Sequence, residues 1–442
     1  MQRSVEAAGA GVGALGDVLP LWSVAPFALL LVAIAVLPFA APSLWERNRV
    51  KAIVAAALAA PAVALVAHHE PAALEQALHE YAAFIGLLAT LFVIAGGVVV
   101  RGTLSGTPGL NVALLGAGAA LASVVGTTGA AMLLVRPLLR ANAVRRRAAH
   151  VFVFFVFVVA NAGGLLTPLG DPPLLLGFLR GVPFFWTLRL WREWAFVVGV
   201  LLVVFYVVDS TLFRREDLET PGDLDEMAAA HRVPLSIAGA QNLALLAAVV
   251  GLPVAGGTFR LASGTVELGL AAIAAAAWLS TPAALRRENG FTFGPIVEVA
   301  ILFAGIFATM VPALAILNAR GAALGLVAPW QFFWAAGALS SFLDNAPTYL
   351  AFASVASGLV GTDAARLGQL AAHPGGGELL RAIALGSVLM GANTYVGNGP
   401  NFLVKTIAEE SGVRMPGFLG YMAWSGAVLL PLFAVVTWLF LR

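Results

Sequence analysis

Two polar stretches broken by glycine and proline lie inside otherwise apolar runs, one late in each half of the chain. The first reads Gly164-Leu165-Leu166-Thr167-Pro168-Leu169-Gly170-Asp171-Pro172-Pro173. The second reads Gly391-Ala392-Asn393-Thr394-Tyr395-Val396-Gly397-Asn398-Gly399-Pro400-Asn401. Laid over each other, Gly164 and Gly391, Thr167 and Thr394, Gly170 and Gly397, and Pro173 and Pro400 coincide at one offset of 227. A helix broken at membrane depth leaves N–H and C=O groups that lipid cannot satisfy, so the break must face protein or a cavity. Paired breaks in corresponding halves point to the binding site of a secondary transporter.

That argument needs a membrane, and the composition supplies it. Hydrophobic residues are 60% of the chain and charged residues 11%, and the mean hydropathy is +0.92. Soluble domains run near 45–50% and about 25%. The 442 residues suit ten to twelve spans of roughly 20 residues each. Cysteine is absent, which excludes disulfides, thiol catalysis and thiolate metal sites. A net charge of +2 gives no case for nucleic acid, so the basic residues are read as topology signals. The residues before Asp17 carry no signal-peptide pattern, and the first apolar run is expected to be retained.

Apolar runs fall at 20–42, 52–68, 82–100, 109–135, 150–179, 193–213, 236–256, 267–284, 296–317, 331–360, 382–404 and 418–441. Runs 109–135 and 331–360 are too long for one span and carry polar tips, Gly126-Thr127-Thr128-Gly129 and Asp344-Asn345-Ala346-Pro347. They are read as re-entrant hairpins, leaving ten spans. Traced from an outside N-terminus, segments 43–51, 101–108, 136–150, 212–234, 284–295 and 405–415 become cytoplasmic. They hold 16 of the 25 Lys and Arg, as the positive-inside rule requires. The hairpins then enter from opposite faces.

An acidic polar linker, 214–234, lies near the chain midpoint. It separates a first repeat, 1–213 (hairpin about 109–135, broken helix about 150–179), from a second, 235–442 (hairpin about 331–360, broken helix about 382–404). Five spans per half force the halves into opposite orientation. Hairpin tips Thr127-Thr128 and Asn345-Ala346 align at an offset of 218. The expected fold is all-α: ten transmembrane helices, two hairpins and two inverted-topology repeats with discontinuous helices.

Asn161-Ala162-Gly163-Gly164-Leu165-Leu166-Thr167-Pro168-Leu169-Gly170-Asp171-Pro172-Pro173 resembles the broken helix of the ion-transporter superfamily. That group includes citrate carriers, arsenite permeases, sodium/dicarboxylate symporters and a class of sodium/proton antiporters. Ser341-Phe342-Leu343-Asp344-Asn345-Ala346-Pro347-Thr348 resembles the second hairpin tip of the antiporter and arsenite-permease branches, and Val297-Glu298-Val299 the helix before it. The resemblance implies scaffold and transport domains, a homodimer, and a multi-pass protein of a bacterial inner membrane in contact with lipid. Hairpin tips and broken helices would form cation and substrate sites. The dicarboxylate branch has Ser-Asn-Thr at both tips; here the tips are Gly126-Thr127-Thr128 and Asp344-Asn345-Ala346. The change moves away from carboxylate recognition and adds an acid suited to a cation.

Candidate site residues follow. A carboxylate at the midplane costs at least ~2.5–3.5 kcal/mol, so Asp171 and Asp344 are read as holding Na+ or H+ in turn. Each is equally placed to cap the helix after it. Asn345, Thr127, Thr128 and Thr167 offer neutral oxygens for Na+. Asn161, Asn393, Thr394, Asn398 and Asn401 suit either ion coordination or the satisfaction of broken backbone. Asn398 stands where Asp171 stands in the first half. Glu298 is either a proton relay or an interfacial acid near a helix start. The His68, His69, Glu70, Glu75, His79 and Glu80 group lacks metal-ligand spacing and reads as a solvated loop.

The leading expectation is a sodium(cation)/proton antiporter with no cofactor beyond the coupling ions Na+ and H+. The alternative is a Na+- or H+-coupled transporter of citrate or another small organic anion. An intramembrane enzyme would need a nucleophile and base inside the spans, and no His is expected deep in one.

Overall fold

The computed structural model describes residues 15–101, 106–219, 236–259 and 264–442. The N-terminal stretch to residue 14 and most of the acidic linker, from 220 to 235, lie outside the described residues. Arg214–Glu219, read as the start of that linker, continue the preceding helix.

The described chain is almost entirely helical. In the first half, α1 (Ala25–Ala40), α2 (Asn48–His69) and α3 (Pro71–Ala95) run through apolar sequence. Then come α4 (Pro108–Val125), α5 (Thr127–Ala141), α6 (Ala149–Val158), α7 (Pro172–Leu179) and α8 (Trp191–Glu219). The second half holds α9 (Gln241–Phe259), α10 (Thr265–Ser280), α11 (Gly294–Arg320), α12 (Pro329–Ser340) and α13 (Asn345–Val360). It ends with α14 (Pro374–Met390), α15 (Gly399–Glu410) and α16 (Phe418–Phe440). A two-stranded antiparallel sheet pairs β1 (Val99–Arg101) with β2 (Ser236–Ala238), Val99 opposite Ala238.

Among the described residues, eight helical stretches are long and apolar enough to cross a membrane. With the composition, they make this a multi-pass integral membrane protein. The expected count was ten spans. Run 267–284 forms a shorter apolar helix, Thr265–Ser280, and within α9 only Gln241–Leu252 is counted among the described residues. Run 382–404 is divided between α14 and α15 by its own break. Conversely, α4, expected as one arm of a hairpin, is long enough by itself.

Burial sorts the helices. From His150 to Val158 every residue of α6 is buried, as expected of a helix apolar all round. The outer helices keep large apolar side chains exposed, with Ile53, Leu268 and Leu279 each more than 60% accessible, as lipid-facing positions should be. The centre is where the breaks lie. α4 and α5 meet through Gly126 alone, whose φ of +83° only glycine adopts without strain. From there the Thr127 N–H donates to the Gly170 carbonyl at 2.8 Å, which fixes the α5 start against the first break.

Candidate functional site

α6 stops at Val158, and residues 162–166 form a 3₁₀ turn before Asp171 opens α7. Pro172 and Pro173 occupy the first helical positions, where a missing N–H costs nothing. The exposed backbone of the break is satisfied by side chains. Ser123 Oγ donates to the Gly163 carbonyl at 2.5 Å, Thr167 Oγ1 donates to the Ser123 carbonyl, and Leu169 N–H donates to Thr167 Oγ1 at 3.2 Å.

The second break repeats these bonds. Ser341 Oγ donates to the Met390 carbonyl at 3.2 Å, Thr394 Oγ1 to the Ser341 carbonyl, and Val396 N–H to Thr394 Oγ1 at 3.2 Å. Asp171 (φ −149°, ψ 144°) and Asn398 (φ −152°, ψ 138°) take the same backbone conformation at the starts of α7 and α15. In each break a glycine permits close approach. A Cβ on Gly170 would lie 2.1 Å from the Gly164 carbonyl oxygen, and one on Gly397 2.6 Å from that of Gly391.

The Asp171 side chain makes no cap bond to its own helix. Its carboxylate is 2% exposed and accepts from three other elements. Thr127 Oγ1, at the start of α5, donates to Oδ1 at 2.9 Å. Asn398 Nδ2, at the head of α15, reaches Oδ1 at 3.2 Å. Asn345 Nδ2, at the start of α13, donates to Oδ2 at 2.5 Å. Among the described residues no Lys, Arg or His pairs with this carboxylate. Asn345 Oδ1 and Asn393 Oδ1 are buried acceptors without a hydrogen-bond partner. A cavity of about 80 Å³ borders the cluster, lined by Asp171, Thr127, Thr128 and mainly apolar side chains. At the ~10–15 Å³ a water centre needs, it has room for a handful of waters.

The other candidates divide. Asp344 caps α13, its Oδ1 accepting from the Ala346 N–H at 3.0 Å, and it adjoins Asn345. Asn161, Asn398 and Asn401 link the two breaks: Asn161 Nδ2 donates to Asn401 Oδ1 at 2.7 Å, and Asn398 Nδ2 to Asn161 Oδ1 at 3.2 Å. Asn401 also satisfies the Gly391 and Thr394 carbonyls, at 2.8 and 2.9 Å. Asn393 donates to Ser341 Oγ at 2.9 Å. Thr167 and Thr394 bond to backbone and not to the carboxylate. Glu298 is not in the cluster; it pairs with the buried Lys51 at 2.6 Å.

Several buried polar contacts were not expected from sequence. Ser123 and Ser341 stand three residues before Gly126 and Asp344, at the 218 offset of the hairpin tips, a spacing that could have found them. Glu80, read as part of a solvated loop, pairs with Arg180 at 2.8 Å with about a tenth of each side chain exposed. His150, not expected deep in a span, is buried in α6 and contacts Asp209 at 2.8 Å. Asp209 also accepts from Arg145 at 2.5 Å; an acid inside an apolar run was the available signal.

Comparison with known proteins adds one match. A family model described as "Putative citrate transport" matches residues 16–441. No curated protein matches the chain.

Proposed function

The chain belongs to the citrate-transport family, within the ion-transporter superfamily of secondary transporters, and we propose that it is a sodium(cation)/proton antiporter working by alternating access at Asp171. The observation that carries this reading is a buried carboxylate held by three neutral donors, Thr127, Asn345 and Asn398, with no basic partner. Hydrogen bonds to a charged group contribute about 1.5–3 kcal/mol each, so the donors hold the carboxylate in place. They do not remove its charge. A proton or a small cation does, and the two compete for the same oxygens. The unpartnered Oδ1 of Asn345, whose Nδ2 donates to Asp171, supplies neutral oxygen of the kind Na+ accepts. Asp344, beside Asn345, adds a second acid at the same end of α13.

The matching bond patterns of the two breaks support a pair of inverted repeats, 1–213 and 235–442, with α4–α5 and α12–α13 as opposed hairpins. The segments that meet at Asp171 would form the mobile transport domain and the remaining helices the scaffold of a homodimer.

The family description favours a second reading, cation-coupled transport of citrate or a similar anion. There Asp171 would hold the coupling ion, and the N-termini of α7 and α15 would face the substrate's carboxylates. Against it, the 80 Å³ cavity borders an acid and no basic side chain.

Purified protein in liposomes carrying a trapped pH-sensitive dye tests both. Antiport requires proton movement on addition of Na+ or Li+ alone. Labelled citrate uptake driven by a cation gradient, with no cation-driven proton flux, would overturn it in favour of the second reading.

A further inference from the structure

A second cavity, of about 560 Å³, lies at the far ends of two helices that build the Asp171 cluster, α5 and α15. Six arginines line it: Arg136 and Arg140 near the end of α5, Arg145, Arg146 and Arg147 in the turn before α6, and Arg414 just beyond α15. Glu288 is the one acid on its wall among the described residues. That acid is committed elsewhere, accepting from Arg101 at 2.9 and 2.6 Å, and the pairing holds its carboxyl below the usual carboxylate range.

The bland account of these arginines is sidedness, since segments 136–150, 284–295 and 405–415 were all assigned to the cytoplasm by charge. Sidedness explains their number but not their arrangement. Arg140, Arg146, Arg147 and Arg414 are exposed, as residues that mark a face are. Here three separate segments are folded around one concavity, and one guanidinium is taken out of water. Arg145 has 1% of its side chain exposed. Its Nη1 and Nε reach Asp209 and Glu216 at 2.5 and 3.4 Å, while Nη2 is buried without a hydrogen-bond partner. Arg136, Arg146 and Arg414 have neither an ion pair nor a hydrogen bond among the described residues. The ten-residue α6 starts on the same wall, and Ala148 at its head offers no side-chain cap. Its free N–H groups add positive potential.

Asp209 and Glu216 offset the charge of Arg145, but like charges gathered around one open concavity still repel one another unless an anion sits between them. Guanidinium forks match phosphate and carboxylate oxygens two at a time, and the volume is in the range of small-molecule sites, about 300–1,000 Å³. We propose that this arginine-lined cavity is a binding site for a multivalent oxyanion, a small molecule or headgroup bearing two or more phosphate or carboxylate groups, separate from the Asp171 cluster. It has a mechanical connection to that cluster. α5 starts at Thr127 and α15 at Asn398, both donors to Asp171, and both helices end at the arginine cavity. An anion bridging Arg136 and Arg414 ties the far ends of the two helices together.

The test uses full-length protein in lipid-free detergent and in nanodiscs. Binding of labelled pyrophosphate and of labelled citrate is measured in detergent. In nanodiscs, retention of phosphatidylserine or cardiolipin is measured against phosphatidylcholine. The comparison is wild type against Arg136→Gln/Arg146→Gln/Arg414→Gln, with Arg→Lys replacements at the same positions as a milder set. Saturable binding of one free anion, weakened at least tenfold by the Gln set and partly restored by Lys, supports a soluble ligand. Enrichment of an anionic lipid with the same mutational pattern supports a headgroup. Binding unchanged in variants that elute as folded protein, or no binding in either arm, overturns the proposal. Asp171→Asn is the control that separates this site from the transport site: it retains anion binding whether or not the antiport reading survives.

Discussion

Asn345 Nδ2 donates to Asp171 Oδ2 at 2.5 Å across 174 residues of sequence. Each residue opens a helix, Asn345 as the first residue of α13 and Asp171 as the residue before α7. Two helix starts from opposite halves are thus joined through an acid and an amide. With Thr127 and Asn398, four helix starts meet at one carboxylate. A carboxylate so placed senses the relative position of all four elements. That is the geometry a carrier needs if occupancy by a cation or proton is to decide which way the surrounding helices move.

Asp171→Asn removes the charge and keeps the shape. The new amide carries an NH₂ group that must face at least one of the donors Asn345 and Asn398, leaving a buried donor unpaired at about 1–3 kcal/mol. The variant is expected to be folded but less stable, with Na+-driven proton flux at the level of empty liposomes. Size-exclusion profile, thermal melting and the dye assay read the three parts. Wild-type flux in the variant removes Asp171 from the ion site.

Asp344 separates two roles by choice of substitution. Asn caps a helix about as well as Asp, whereas Ala loses about 1 kcal/mol. If the Asp344 charge takes part in the ion site, Asp344→Asn melts like wild type and loses cation-driven flux. Asp344→Ala loses both flux and stability. Undiminished flux in Asp344→Asn would leave Asp344 as a helix cap alone.

The breaks were legible because glycine, proline, threonine and asparagine inside apolar sequence have few other meanings in a membrane. Their convergence was implied only by the family resemblance. Asp171 meets Thr127, Asn345 and Asn398 over separations of 44, 174 and 227 residues, and no local pattern encodes such distances. An Asp just ahead of a helix reads as a cap, and that rule gave capping for Asp171 and Asp344 alike. Only Asp344 caps, because three donors from other elements take the Asp171 carboxylate. Arg145 was hidden for another reason. Within Arg145–Arg147 it reads as a marker of sidedness, while its partner Asp209 is supplied by α8, 64 residues on.

Gly170 tests the close approach within the first break. A Cβ there would sit 2.1 Å from the Gly164 carbonyl oxygen, and that oxygen is backbone, which cannot swing aside. Overpacking of this kind costs about 1–3 kcal/mol. It would also displace the Gly170 carbonyl that accepts from Thr127 N–H. Gly170→Ala is expected to lower the melting temperature and reduce flux, and Gly86→Ala, where a Cβ meets nothing within 4 Å, to do neither. Equal behaviour of the two variants would mean that the break has slack.

Arg180 closes α7 at the end opposite Asp171, and its Nη2 lies 2.8 Å from Glu80 Oε2 on α3. α7 has only eight residues, about 12 Å at 1.5 Å per residue, so what anchors Arg180 also positions the carboxylate. Removing one partner of a buried pair leaves the other charge uncompensated, at about 3–5 kcal/mol. Glu80→Gln is therefore expected to destabilise strongly, and Glu80→Gln/Arg180→Gln to recover part of the loss, because the double variant strands no charge. Thermal melts of wild type, Glu80→Gln, Arg180→Gln and the double variant give the coupling directly. The flux assay adds a separate readout. If Glu80 acts through α7, Glu80→Gln raises the Na+ concentration needed for half-maximal flux, and the double variant does not restore it, since the anchor is still missing. A double variant that melts and transports like wild type would show that α7 is held by its packing, with Glu80 and Arg180 compensating only each other.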